Sequence, residues 1–310
     1  MKFLGFKRKD GSVGVRNHVL ILPSCACASE TCRVVASQVL GTKNVIINVG
    51  CSDVTANTEM TQRVLTGFAL NANVFGVVVI GLGCETVGHR ELAEKIRMLS
   101  DKPVVSFGIQ EEGGTIKTVA LAVEAARKMV EEASKLQKVE CDASDLFVAI
   151  ECGGSDATSG IASNPAVGSM ADKIYDLGGT TMMSETVEFI GAEHVLAKRG
   201  VTPEIHDQII RICEEYEKHL ALAGQDCRSG QPTPGNKVGG LSKKKVSVVS
   251  IREELVRFPR FSKKQRGQLR KVLSLWIRQG MTFLLSRVWS PGARRLWSSQ
   301  PAEALRPAMR

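Results

Sequence analysis

The chain has 310 residues, of which 43% are hydrophobic and 5% aromatic, a composition suited to a globular protein with room for two domains. No run of about 18 apolar residues occurs, and charge enters Met1–Gly11 before a secretory apolar core could form, so a soluble, cytoplasmic protein without a membrane partner is expected. The net charge of +9 belongs to one end: residues 241–310 hold 17 of the 41 Lys and Arg against Glu253, Glu254 and Glu303, whereas residues 1–240 carry 24 basic and 29 acidic groups.

In chain order, Val19–Pro23, Val45–Asn48, Val74–Ile80, Val104–Phe107 and Leu146–Ile150 are short, nearly continuous apolar runs. Runs of that kind predict strands buried on both faces of a parallel sheet. Between them lie helical patterns. Met60, Val64 and Phe68 form one stripe, and Ile116, Ala120, Val123, Val130 and Ala133 form another. The alternation predicts an α/β fold of two Rossmann-like parallel-sheet units, residues 1–140 and 141–240, followed by an irregular or helical basic tail, 241–310. The second unit continues through Thr180–Met183 and a helix around Glu204–Leu220, and Gln231–Gly240 reads as a turn-rich loop.

Ligands of such sheets bind at the carboxyl ends of the strands. Four segments are candidates for that position: Ser24–Cys32, Gly50–Asp53, Gly81–His89 and Glu151–Gly160. The third is not a dinucleotide fingerprint, because Thr86 stands where a third glycine belongs. Cys84-Glu85 and Cys152 with Ser155 and Asp156 each place a thiol near a carboxylate on a Gly-rich loop. Together they could form a mixed sulfur and oxygen site for a divalent metal such as Fe2+.

Nine cysteines in a long chain predict thiols rather than a disulfide framework. Cys213 shares a helical face with Ile209, Tyr216 and Leu220 and reads as core. Cys141 and Cys227 read as incidental loop residues, and Cys25, Cys27 and Cys32 stay open between core and site. His194, Glu185 and Glu188 are acid–base candidates or, equally, residues of a solvated helix start. His89 is expected on an exposed helix start and His219 on the surface.

Several of these strings together resemble the altronate/galactarate dehydratase family. They are Gly5–Asn17, Gly81–Glu85, Glu151–Ala166, Ser184–His194 and Pro232–Gly240, so the likeness spans roughly residues 5–240. Sulfolactate sulfo-lyase β subunits share the framework. The resemblance implies a hydro-lyase that converts a sugar acid to a 2-keto-3-deoxy acid with a divalent metal, Fe2+ or Mn2+; the alternatives are a sulfo-lyase β subunit or an inactive scaffold. It implies Cys84, Glu85 and Cys152 near the metal, and Ser155, Asp156 and Asn164 on substrate hydroxyls. Arg16 and Lys237 would serve the substrate carboxylate, Asn17 would also bind substrate, and His194 or Lys237 would be the base. A separate small SAF-domain subunit and a homo-oligomer are the expected partners. Two departures from the family pattern are expected: a large-subunit type without the SAF-like domain that members often carry first, and Ile47-Asn48-Val49 in a region where members often carry a His.

After Gly239-Gly240-Leu241 the family would continue with a run like Glu-Glu-Lys-Ser-Leu-Gly-Cys-Ile, where this chain reads Lys243-Lys-Lys-Val-Ser-Val-Val-Ser. One choice of synonymous codons, read in a shifted frame, restores most of that string. The tail, with Trp276, Trp289 and Trp297, is therefore expected to be a frameshift product rather than a nucleic-acid-binding arm.

Overall fold

A computed structural model describes residues 1–51, 54–150, 162–183, 186–191, 193–198, 202–230 and 234–238, together with Leu284–Leu285. The chain begins with strands β1 (Lys2–Lys7), β2 (Val13–Gly14) and β3 (His18–Pro23). Helix α1 (Ser29–Gln38), β4 (Thr42–Asn44), α2 (Thr55–Leu70) and β5 (Val74–Gly81) follow. Next come α3 (His89–Leu99), β6 (Val104–Gly108), α4 (Thr115–Lys135) and β7 (Val139–Asp142).

Strands β4, β3, β5 and β6 form one parallel sheet in that spatial order. The side-chain period of two divides its core cleanly. Val19 and Ile21 of β3, with Val78 and Ile80 of β5, pack on one face against Cys32 and Val35 of α1 and Ala122, Val123, Ala126 and Met129 of α4. Leu20 and Leu22, with Val77 and Val79, pack on the other face against Leu65 and Ala69 of α2 and Leu92, Ala93 and Ile96 of α3. Both faces are buried, which is why these strands carry no polar alternation. Each fully buried aliphatic side chain contributes about 1.5–3 kcal/mol.

Three expectations need correction. The strand expected at Val45–Asn48 lies at Thr42–Asn44, paired with Val19–Ile21. The Thr42 hydroxyl donates to Ala36 O and Val39 O, which starts the strand directly after α1, and Val45 and Ile47 pack beyond it on the second face. In α2 the buried face is Leu65 and Ala69, while Phe68 is 44% exposed. In α4, Ile116 is 87% exposed, and Thr118, Ala122, Ala126 and Met129 join Val123 and Ala133 inside. Each helix offers two overlapping stripes with the same spacing, and only packing against the sheet chooses between them.

The N-terminal segment adds a sheet that periodicity did not reveal. Strand β1 pairs antiparallel with β2 and, across more than a hundred residues, with β7, placing Lys2 opposite Asp142 and Gly5 opposite Val139. Cys141, read as a loop residue, lies buried on β7.

The second unit has β8 (Phe147–Ile150), α5 (Asn164–Asp176) and β9 (Thr180–Met183), with β8 and β9 parallel. Helices α6 (Glu193–Ala197), α7 (Pro203–Leu222), α8 (Cys227–Gly230) and α9 (Pro234–Val238) follow. Helix α7 starts as its sequence dictates: Pro203 stands in the first turn and the Thr202 hydroxyl accepts from Ile205 N–H. Its buried residues include Ile209, Ile212 and Cys213, so Cys213 is a core thiol. Strand β10 (Leu284–Leu285), inside the expected tail, pairs antiparallel with Met182 and Met183 of β9.

Candidate active site

The strands of the first sheet all point one way, so the loops after β3, β4 and β5 emerge on one edge. Backbone contacts bind these loops to each other. Ala26 N–H donates to Val49 O at 2.8 Å, Thr86 N–H to Gly50 O at 3.0 Å, and Ser24 N–H to Ile80 O at 2.9 Å. Gly50 has φ +107°, and a Cβ there would stand 2.8 Å from Cys25 Cα, so the approach of the second loop to the first requires glycine. Three of the four candidate segments therefore converge. The fourth, Glu151–Gly160, lies outside the described residues.

Glu85 is the organising group of this edge. Its side chain is 2% exposed. Oε2 accepts from Leu82 N–H and Gly83 N–H, and Oε1 accepts from the Ser24 hydroxyl at 3.0 Å and from His89 N–H at 3.3 Å. Burial by itself pushes the carboxyl up. The amides of Gly83 and Glu85, the Ser24 hydroxyl and His89 outweigh burial and hold it below its ordinary value. The carboxylate thus faces inward and winds its own loop, while the neighbouring Cys84 is exposed.

The other thiols sort by burial. Cys25 and Cys32 are buried, and burial pushes both thiols up, which keeps them in the inert, protonated form. Cys27, Cys51 and Cys84 are exposed on the converging loops. Of the expected metal ligands, Cys84 has an accessible donor atom, Glu85 has both oxygens engaged by the loop, and Cys152 lies outside the described residues. Among the described residues no three His, Cys, Asp or Glu side chains are grouped to hold a metal ion. The described part of the expected donor set therefore does not make a complete metal site.

Arg16 and Asn17 precede β3 and so sit at the opposite end of the sheet. The six residues of β3 separate them from Ser24, about 20 Å of extended chain. There Asn17 Nδ2 donates to Ala133 O at 2.8 Å, and Asn73 Oδ1 accepts from the backbone N–H groups of Val15 and Arg16. Within this chain they are not brought to Cys84, because that motif serves to tie the entry of β3 to α4 and to the turn before β5.

Asn164 is half-buried at the start of α5, with Pro165 behind it. His194 is exposed in the first turn of α6. Its neighbour Glu193 is the anchor: Arg228 pairs with Glu193 at 3.0 Å and bidentately with Glu217, tying α6, α7 and α8 together. Lys237 falls in α9, but its side chain, like Ser155, Asp156 and Glu185, lies outside the described residues.

His89 and Ser24, which delimit two of the candidate segments, have roles at Glu85 that the sequence did not assign to them. His89 is buried, with 6% of its side chain exposed, rather than on an open helix start. Glu85 precedes α3, which starts at His89, so the spacing of four between them carried no helical signal, and the contact depends on how the loop folds back on the helix start.

Comparison with known proteins gives a consistent result. The family model for the second domain of D-galactarate dehydratase/altronate hydrolase matches residues 5–134, and that for the D-galactarate/altronate dehydratase C-terminal domain matches residues 143–247. The chain is 36% identical over 244 residues to the (2R)-sulfolactate sulfo-lyase β subunit of Chromohalobacter salexigens, covering 77% of this chain and 61% of that protein. It is 33% identical over 270 residues to the galactarate dehydratase (L-threo-forming) of Escherichia coli, covering 77% and 49%. To the altronate dehydratase of Bacillus subtilis it is 29% identical over 250 residues, covering 77% and 50%. It spans between about half and three fifths of the length of these relatives.

Proposed function

The chain belongs to the galactarate/altronate dehydratase family, and on that premise we propose that it acts as a lyase on an anionic hydroxy acid, removing water from a sugar acid of altronate or galactarate type. The observation that carries this reading is the C-terminal edge of the parallel sheet, where an exposed thiol, Cys84, stands beside a carboxylate buried to hold its loop. Helices α1, α3 and α4 also begin on this edge. The positive ends of their dipoles favour a negatively charged ligand there.

In the proposed reaction a base takes the C2 hydrogen as a proton, and the C–H electron pair becomes the C2–C3 double bond. The C3 hydroxyl leaves as water once protonated, and the enol tautomerises to the 2-keto-3-deoxy acid. His194 and Lys237 are the proposed bases, and Asp156, Ser155 and Asn164 the proposed partners of the substrate hydroxyls. The developing negative charge at the substrate carboxylate is the species that backbone N–H groups at helix starts stabilise. A small SAF-domain subunit is the proposed partner, supported by the likeness to a protein named as the β subunit of a sulfo-lyase.

A second reading is favoured by the 36% identity to a sulfo-lyase subunit. In that reading C2 deprotonation is the same, the C3–S bond breaks, and sulfite leaves with the electron pair. One assay separates the two. The full chain, with the small subunit present, is offered altronate, galactarate and sulfolactate, and 2-keto acid and sulfite are measured. Keto acid without sulfite from either sugar acid supports the hydro-lyase; keto acid with equimolar sulfite from sulfolactate supports the sulfo-lyase. Background rates with all three acids overturn both.

A further inference from the structure

We infer that His89 is a positioning residue for the Cys84 loop, acting through Glu85. Its ring is held between two carboxylates, with Nδ1 3.4 Å from Glu85 Oε1 and Nε2 3.4 Å from Glu111 Oε2. Glu111 is fixed from outside by Arg90, whose Nη2 stands 2.8 Å from the same Oε2. A chain of contacts thus runs from the surface at Arg90 through Glu111 and His89 to Glu85 and on to Ser24.

The slot for the imidazole is built by both neighbouring strands. A Cβ on Gly108, the last residue of β6, would lie 2.7 Å from His89 Cε1 and 3.1 Å from Nε2. A Cβ on Gly81, the last residue of β5, would lie 2.8 Å from His89 Cβ and would also overlap Glu85 Oε1. Two strand ends without side chains make room for a buried His–Glu pair that an ordinary helix start would not need. The remaining donors to Glu85 are neutral amides and a hydroxyl, so His89 is the one group facing this carboxylate, among the contacts described, that can carry positive charge. Within the loop the pattern alternates: Glu85 points in and Cys84 points out. What fixes Glu85 therefore fixes the direction of the thiol.

The inference rests on the lyase reading only for its kinetic arm. In the full chain, His89→Leu is compared with His89→Asn, whose amide can replace the polar contact that Nδ1 makes with Glu85 Oε1. Amide hydrogen exchange at Leu82 and Gly83, and the alkylation rate of Cys84 by iodoacetamide, are the activity-independent readouts. His89→Leu is expected to speed exchange at Leu82 and Gly83 by about tenfold or more and to change Cys84 alkylation, with Val77–Ile80 unaffected and His89→Asn restoring both. In an active enzyme kcat falls while KM stays within about twofold. Unchanged exchange and alkylation in His89→Leu overturn the inference. So does equal loss of protection throughout β5 in both variants, since that marks a residue needed only for the core. A wild-type chain inactive on every acid overturns the lyase reading but leaves the exchange and alkylation results to decide this one.

Discussion

At the end of the sheet where the strands begin, long polar side chains are bonded to backbone. Arg8 donates to Ala72 O and Arg16 O, Asn17 to Ala133 O, and Lys102 to Ala69 O and Asn71 O. Gly14 comes so close that a Cβ would stand 2.2 Å from Ala72 O. At the other end the order is reversed: one buried carboxylate gathers the backbone N–H groups of its loop and leaves Cys84 on the outside. Both ends are rich in residue types that suggest a site, but the second presents an exposed thiol on a braced loop. Polar side chains engaged with backbone hold a fold together; accessible groups on a braced loop are available to a ligand.

Three measurements probe the difference between the two ends of the sheet. Glu85→Ala should have the largest effect. It leaves the donors of Leu82, Gly83 and Ser24 without their acceptor, so urea denaturation should show about 3 kcal/mol lost, and kcat/KM should fall by about a hundredfold. Asn17→Ala and Arg16→Ala come next. The first should cost about 1 kcal/mol through the bond to Ala133 O, and neither should change kcat/KM per folded molecule beyond about twofold. A tenfold loss of kcat/KM at full stability in either variant would place the substrate at the wrong end of the sheet for this account.

The smallest effect is in the pH dependence, where the two ends titrate in separate windows and stability rises with pH in both. Glu85 has a folded-state pKa below its ordinary 4.5, so its contribution is complete above that pH and is lost as the pH falls through the lower value. Lys102, pushed down by burial and by Arg8, has a pKa of about 7 against an ordinary 10.5. Its protonated form is disfavoured in the fold, so stability should rise as pH climbs from about 7 towards 10. Thermal midpoints across pH should therefore lose their acid limb slope in Glu85→Gln and their alkaline rise in Lys102→Met, with the opposite limbs intact.

Much of this was legible beforehand. The apolar runs at Val19–Pro23 and Val74–Ile80 announced a sheet covered on both faces, and the Gly- and Cys-rich segments behind them announced the edge that carries Cys84. The position of Arg16 and Asn17 follows from the same logic, because a motif that precedes a parallel strand lies at the end away from the strand's carboxyl edge. Other features had no local signal. The choice between Phe68 and Leu65 as the inner face of α2 depends on where the sheet lies. The burial of His89 depends on Gly108, which arrives from another strand. The pairing of β1 with β7 joins segments too distant for any periodicity to connect. Cys152, Ser155 and Asp156 lie outside the described residues, as does most of the basic tail.

That last pairing has a consequence for how the first unit can be used. With Lys2 facing Asp142 across an antiparallel ladder, the polypeptide enters and leaves the unit about 5 Å apart. A module whose two ends already meet can be spliced into a surface loop of an unrelated host with little loss of chain entropy, because the host need only supply a gap one strand wide. The β1–β7 ladder is thus a seam along which the unit is portable.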